Sequence, residues 1–122
     1  MKRFLILIVA LLLLFPFHLQ ADDFFEKQVR PLLVAKCYQC HAGKKQSGGL
    51  SLETKAGWAK GGESGPAIIP GDVDGSLLID AINYRGIEMP PADEGGKLKP
   101  EEIEILTKWV QNGAVDPRVA GQ

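Results

Sequence analysis

Apolar positions crowd the amino-terminal end of the chain and afterwards recur only in short, helically spaced groups. Lys2 and Arg3 precede an unbroken apolar run from Phe4 to Phe15, which Pro16 interrupts. Basic, greasy and helix-breaking in that order, residues 1–21 read as a secretory signal peptide. The run is shorter than the roughly 20 residues that span a bilayer core, so membrane association is expected only if the leader stays uncleaved. Past Ala21, Phe25, Val29, Leu32 and Leu33 share a helical face toward Lys36. Asp22 and Asp23 offer its N-cap, and Pro31 predicts either a kink or a fresh helix with the proline in its first turn. Leu50 to Lys60 predicts one short helix holding Trp58. A third helix is expected from a Ser76 cap through Tyr84, with Leu78, Ala81 and Ile82 inward and Arg85-Gly86 at its end. Pro100, Glu101 and Glu102 open the last helix, Ile103, Leu106, Thr107, Trp109 and Val110 form its inner stripe, and Asn112-Gly113 stops it. Alternating strand patterns, repeats and heptads are missing from the sequence, so the fold class is all-α, about four short helices joined by long loops.

Composition sharpens this. All fourteen glycines and seven of the eight prolines follow Ala21, and they concentrate between the predicted helices. A domain of about 100 residues, 22–122, with so much loop buries a limited core and needs a staple: a disulfide, a metal or a covalent cofactor. Fourteen Lys and Arg, Lys2 and Arg3 among them, face fifteen Asp and Glu, so the part beyond the leader is mildly acidic. That balance argues against nucleic acid as a partner. Export also matters for Cys37 and Cys40, because free thiols do not persist outside the cytosol: they should be paired, metal-bound or chemically capped.

The candidate chemistry lies in Cys37-Tyr38-Gln39-Cys40-His41. C-x-x-C-H is the pattern for covalent attachment of a c-type haem. One turn of backbone brings both sulfurs to a porphyrin edge, where each forms a thioether with a vinyl group, and the adjacent His41 can bind the iron. Three other uses of paired cysteines compete. A zinc site needs four ligands, and beyond the leader the chain has two Cys and one His. A thioredoxin-like dithiol follows a β-strand, whereas Cys37 ends an amphipathic helical stretch. A plain disulfide across two residues closes a tiny strained loop and leaves His41 unexplained.

A haem on His41 has a second axial position, which electron carriers usually fill with Met or His. Met89 is the one methionine beyond the leader, 48 residues past His41. Pro90 and Pro91 stiffen its loop, so the thioether can be presented with little entropy lost; the competing reading is a gap-filler in the core. Pro66, in Gly65-Pro66, is a candidate to bring a carbonyl past the His41 imidazole and accept its N–H. Trp58, Tyr84 and Trp109 are candidates to line the pocket, Tyr84 and Arg85 to meet the haem propionates, and Lys44 and Lys45 to help a partner dock.

Taken together, Phe24-Phe25, Val29 to Leu33, Cys37 to His41, Gly48 to Leu52, Gly61 to Ala67, Pro70-Gly71, Ser76 to Leu78, Met89-Pro90-Pro91, Leu98 to Trp109 and Gly113-Ala114 resemble the planctomycete-type cytochrome c domain of the class I cytochrome c superfamily. The resemblance implies a small class I cytochrome c-like fold around one covalently bound haem c, with the first and last helices packed together. It implies Cys37 and Cys40 as attachment positions and His41 and Met89 as axial ligands of the iron. In that family the haem domain often leads a longer exported protein; this sequence, ending at Gln122, is expected to act alone or as a split relative. The reading is therefore a periplasmic or otherwise exported monohaem cytochrome, an electron carrier and not an enzyme. It would serve transient redox protein partners, with a larger exported enzyme as one candidate. The alternatives are a haem peroxidase or gas sensor with a displaceable Met89, or a haem-free thiol-disulfide oxidoreductase.

Overall fold

The computed structural model describes residues 19–119, so most of the expected signal segment lies outside the described residues. Residues 19–24 are already helical, which places Asp22 and Asp23 inside a helix and not at its cap. Asp23 instead meets Lys27 one turn on, at 3.1 Å. The chain then makes a single wide π turn, Phe25–Val29, closed by the Arg30 N–H on the Phe25 carbonyl, and continues as α1, Arg30–Lys36. Pro31 is the reason. Its ring presses on the carbonyl of the preceding turn and it offers no N–H, and widening the helix just ahead of it relieves both problems. Pro31 thus stands in the first turn of α1, one of the two outcomes expected for it.

Cys37 leaves helical geometry at φ −122° and starts a single turn, α2, Tyr38–His41. A tight reversal follows, in which β1, Lys45–Gln46, bridges back to His41 and Ala42. After a 3₁₀ turn at Ser47–Gly49 comes α3, Lys55–Lys60, capped by the Thr54 hydroxyl, which accepts the Gly57 N–H at 2.9 Å. α4 is Leu77–Ile82 and α5 is Pro100–Gln111. Among the described residues no helix is long and apolar enough to cross a membrane.

α4 departs from expectation at both ends. Ser76 stands at the N-cap as expected, but its side chain does not cap: the buried hydroxyl donates to the Asp72 carbonyl at 2.7 Å and accepts the Ile69 N–H at 2.9 Å, tying down the loop in front of the helix. The helix also stops at Ile82, because Tyr84 takes a left-handed conformation, φ +60°, ahead of Gly86. α5 begins as the sequence predicts, with the Glu102 carboxylate accepting the Lys99 N–H at 2.9 Å.

α5 packs on the Phe25–Val29 turn, the contact between first and last helices that the family resemblance implies. Phe25 and Trp109 meet with ring centroids 5.7 Å apart, and Trp58 closes edge-on to Trp109 at 6.0 Å. Leu33, Ile68, Ile82, Leu106 and Val110 complete this core. Each such side chain contributes about 1.5–3 kcal/mol when buried, and the aromatic trio joins the Phe25–Val29 turn, α3 and α5 in one core.

The segment beyond α5 is structural too. Gly113 and Ala114, both at positive φ, turn the chain back over the core, where the Val115 carbonyl accepts the Trp109 indole N–H at 2.9 Å. Asp116 then accepts the Trp58 indole N–H at 2.9 Å and pairs with Arg118 through both carboxylate oxygens, at 2.9 and 2.7 Å. Both side chains are essentially sealed from solvent. Burial opposes the charge on Asp116, but hydrogen bonds from Arg118 and Trp58 outweigh it and hold the carboxyl below its ordinary range. The Arg118 guanidinium is likewise penalised by burial, yet its bonds to Asp116 keep it charged with its pKa raised.

Two stability predictions follow. Removing one partner of a buried pair leaves the other uncompensated, so Asp116→Asn is expected to lower stability at pH 7 by about 3–5 kcal/mol in urea unfolding. The folded-state pKa of Asp116 is depressed, so the pair's contribution is full above the unfolded value of 3.8 and lost as pH falls through the lower folded value; the gap between wild type and variant should close as pH drops below 3.8. The second concerns Gly61, at φ +74° and ψ −161°, a region essentially reserved for glycine. A Cβ there would stand 1.9 Å from the Gly65 carbonyl oxygen. Gly61→Ala should therefore lower stability by about 3 kcal/mol or more, read in the same unfolding experiment.

Candidate functional site

The C-x-x-C-H segment is shaped by the break at Cys37. The Cys37 carbonyl accepts the N–H groups of Cys40 at 3.2 Å and His41 at 3.0 Å, so one tight turn carries both cysteines and delivers His41 at its end. The two sulfurs are not bonded to each other. His41 is held at backbone and ring by one neighbouring segment: its carbonyl accepts the Leu52 N–H at 2.8 Å, and its Nδ1 lies 3.3 Å from the Leu50 carbonyl oxygen. With the ring proton on Nδ1, the imidazole donates to Leu50 and the Nε2 lone pair is left for a ligand.

This corrects the expectation for Pro66. The carbonyl beside the imidazole belongs to Leu50, and Pro66 does not line the adjoining cavity, although Gly65 and Ala67 do. Gly61 and Gly62 explain the geometry. Gly62 pairs with Gly65 in a tight reversal, and a Cβ on Gly62 would come within 2.4 Å of the Gly48 oxygen, so this glycine loop presses on the turn before Leu50 and steadies it from behind.

The cavity measures about 250 Å³ and is bordered by Cys37, Cys40 and His41 on one segment and by Met89, Pro90 and Pro91 on another. Leu50, Leu52, Ala67, Leu78, Ala81 and Ile82 supply apolar walls, with Lys36, Glu63 and Glu94 among its few charged neighbours. Met89 is placed by backbone: its N–H donates to the Ala81 carbonyl at the end of α4, at 3.0 Å. The Met89–Pro90 peptide is cis, and the Tyr84 hydroxyl donates to the Pro90 carbonyl. Gln39 in α2 donates to Glu94 at 2.8 Å, joining the C-x-x-C-H turn to the loop that carries Met89. Two thiols, an imidazole with one nitrogen already satisfied, and a thioether therefore share one greasy cleft. That donor set and those walls fit a flat, largely apolar macrocycle bonded through sulfur.

Other sequence candidates stand elsewhere. Trp58 and Trp109 belong to the core, and Tyr84 also lies off the cavity lining, with its hydroxyl on Pro90 and the Lys97 ammonium over its ring. Arg85 is exposed and meets Asp80 at 3.5 Å. Lys44 and Lys45 are exposed at the reversal after α2. Sequence reasoning missed the Leu50 carbonyl, the Gln39–Glu94 bond and the tail residues Asp116 and Arg118. For the tail a signal existed: Trp58 and Tyr38 carry polar atoms that require partners when buried.

The thiols bear on the competing dithiol reading. Burial, reinforced by the neighbouring Cys40, pushes the Cys37 thiol up to about 12. A dithiol oxidoreductase needs the reverse, an attacking cysteine whose pKa is lowered so that thiolate is available at neutral pH. Among the described residues no group of three or more His, Cys, Asp or Glu is placed to hold a metal ion by itself.

Residues 37–93 match the family model described as Planctomycete cytochrome C, a stretch that starts on Cys37 and ends just past Met89-Pro90-Pro91. The match bears out the resemblance seen in the sequence. Cytochrome c domains carry covalent haem c, generally serve as electron carriers and are typically exported. No curated protein and no solved structure matches the chain.

The raised Cys37 thiol gives a direct test on haem-free protein. Its alkylation should be negligible at pH 8 and should speed up about tenfold per pH unit up to pH 10, since only the thiolate reacts. Fast alkylation at pH 8 would contradict the buried environment described here.

Proposed function

We propose that this chain, whose residues 37–93 carry the Planctomycete cytochrome C pattern, is an exported monohaem c-type cytochrome that passes single electrons between redox proteins. The observation that carries the reading is the meeting of Cys37, Cys40, His41 and Met89 around one apolar cleft. In this reading residues 1–21 are the signal peptide and 22–122 the haem domain.

Bound haem c would supply an iron that alternates between ferric and ferrous states. The protein's own residues do the rest. Cys37 and Cys40 would hold haem c through sulfur as thioethers, each thiol S–H having added across a vinyl group, so that the group could not dissociate. His41 would offer Nε2 to the iron, while its Nδ1–H bond to Leu50 fixes the tautomer and the ring orientation. Met89 offers a soft sulfur that favours ferrous iron and raises the potential. Leu50, Leu78 and Ile82 exclude water from the cleft, which limits the reorganisation that accompanies each change of charge. The mildly acidic surface suits brief encounters with basic patches on partners.

Replacing Met89 tests the reading in protein made with a haem-attachment system. Wild type should give a low-spin ferric spectrum, keep its colour through acid-acetone extraction, and bind carbon monoxide poorly when reduced. Met89→Ala should turn high-spin, bind carbon monoxide readily and lose on the order of 0.1 V or more of reduction potential, given the range that axial ligands set. A spectrum that the substitution leaves unchanged removes Met89 from the iron. A high-spin wild type replaces the carrier reading with peroxidase or gas-sensor chemistry.

A further inference from the structure

We propose that Arg118 is a positioning residue for the His41 imidazole, reaching the axial ligand from the tail of the domain through Tyr38 and the 50–52 segment. The inference rests on the reading of His41 as an iron ligand.

Arg118 divides its donors between two tasks. Nε and one terminal nitrogen close on Asp116, which alone suffices to lock the tail and to satisfy Trp58. The other terminal nitrogen, Nη1, points to the C-x-x-C-H neighbourhood and makes two contacts there. It donates to the Tyr38 hydroxyl at 2.6 Å and to the Leu52 carbonyl at 2.7 Å. Tyr38 lies between the two attachment cysteines. Leu52 is the residue whose N–H holds the His41 carbonyl, and it follows by two positions the Leu50 carbonyl that engages the imidazole.

One nitrogen therefore fixes both supports of His41, the turn that carries it and the segment that orients its ring. The guanidinium has little freedom of its own, being stacked 4.9 Å from the Phe25 ring and 5 % exposed. No buried side-chain polar atom among the described residues lacks a partner, and removing Nη1 takes one donor from the Tyr38 hydroxyl and from the Leu52 carbonyl at once. Groups that orient a metal ligand in this way commonly matter about 10–100-fold for metal affinity or activity, because tolerances at such sites are only about 0.5 Å and 10–20°.

The test uses holoprotein. Arg118→Met keeps length but removes every donor, and Tyr38→Phe removes one acceptor while leaving the Asp116–Arg118 pair intact, so it folds even where the first variant does not. Val110→Ala, in α5, serves as a control that loses stability without touching these contacts. Two readouts are taken: the hyperfine-shifted haem methyl resonances of the ferric form, which report the plane of the axial imidazole, and amide hydrogen exchange of the ferrous form. Expected are displaced methyl resonances in Arg118→Met and Tyr38→Phe but not in Val110→Ala. Arg118→Met should also lose at least tenfold more exchange protection at Leu52 and His41 than at Leu106 in α5. Methyl resonances that stay in place in both variants, or protection that falls equally at all three amides, would overturn the proposal and leave Arg118 a general stabiliser. Failure of the haem reading shows differently: wild type itself would then have the mass of bare polypeptide.

Discussion

A small domain that keeps an apolar cleft beside its core must support the walls from outside, since the side chains facing the cleft have no protein partner across it. Native interiors tolerate few voids larger than a water molecule, and here the opening is about 250 Å³. The supporting contacts are accordingly backbone bonds between the segments that form the walls. Leu52 holds His41, Ala81 holds Met89, and the glycine reversal at Gly62–Gly65 braces the turn leading to Leu50. The loops are long because they border this space; their glycines let backbone lie on backbone where a Cβ would collide, as at Gly61 and Gly62.

The same constraint explains the division of labour among the aromatics. Phe25, Trp58 and Trp109 pack on one another and do not line the cleft, so their burial supplies cohesion to the core behind its walls. Neither tryptophan lines the cofactor space, and their indole N–H groups are taken by Asp116 and Val115. The tail beyond α5 is therefore part of the core's polar accounting, through the two charged side chains among residues 113–119.

Helices that carry an apolar stripe were legible from spacing, as in α5, where Pro100, Glu102 and Asn112 marked both ends by local chemistry. The start of the first helix and the end of α4 were not. Asp22 and Asp23 have the right side chains for a cap, but helical residues already precede them; Tyr84 has the propensity to continue α4, but takes a left-handed conformation and donates to Pro90. The site shows the same split. Cys37, Cys40, His41 and Met89 announce themselves because their side-chain chemistry is scarce in this chain. The carbonyl that orients His41 does not, because every residue has a carbonyl and only the fold selects that of Leu50 over that of Pro66 or its neighbours. Arg118 escaped notice for a related reason: an arginine beyond the last helix reads as solvated until the tail is seen to cross the core.

That crossing has a consequence for how the protein is made. Arg118 joins Tyr38, Leu52 and Phe25, partners separated from it by most of the domain's length, and Asp116 joins Trp58. A nascent chain has none of these contacts until Asp116 and Arg118 have left the ribosome, and contacts of such long sequence separation are slow to form. Residues 25–58 thus stay without their tail partners until 116–118 have been made, when the pieces of the clasp first coexist.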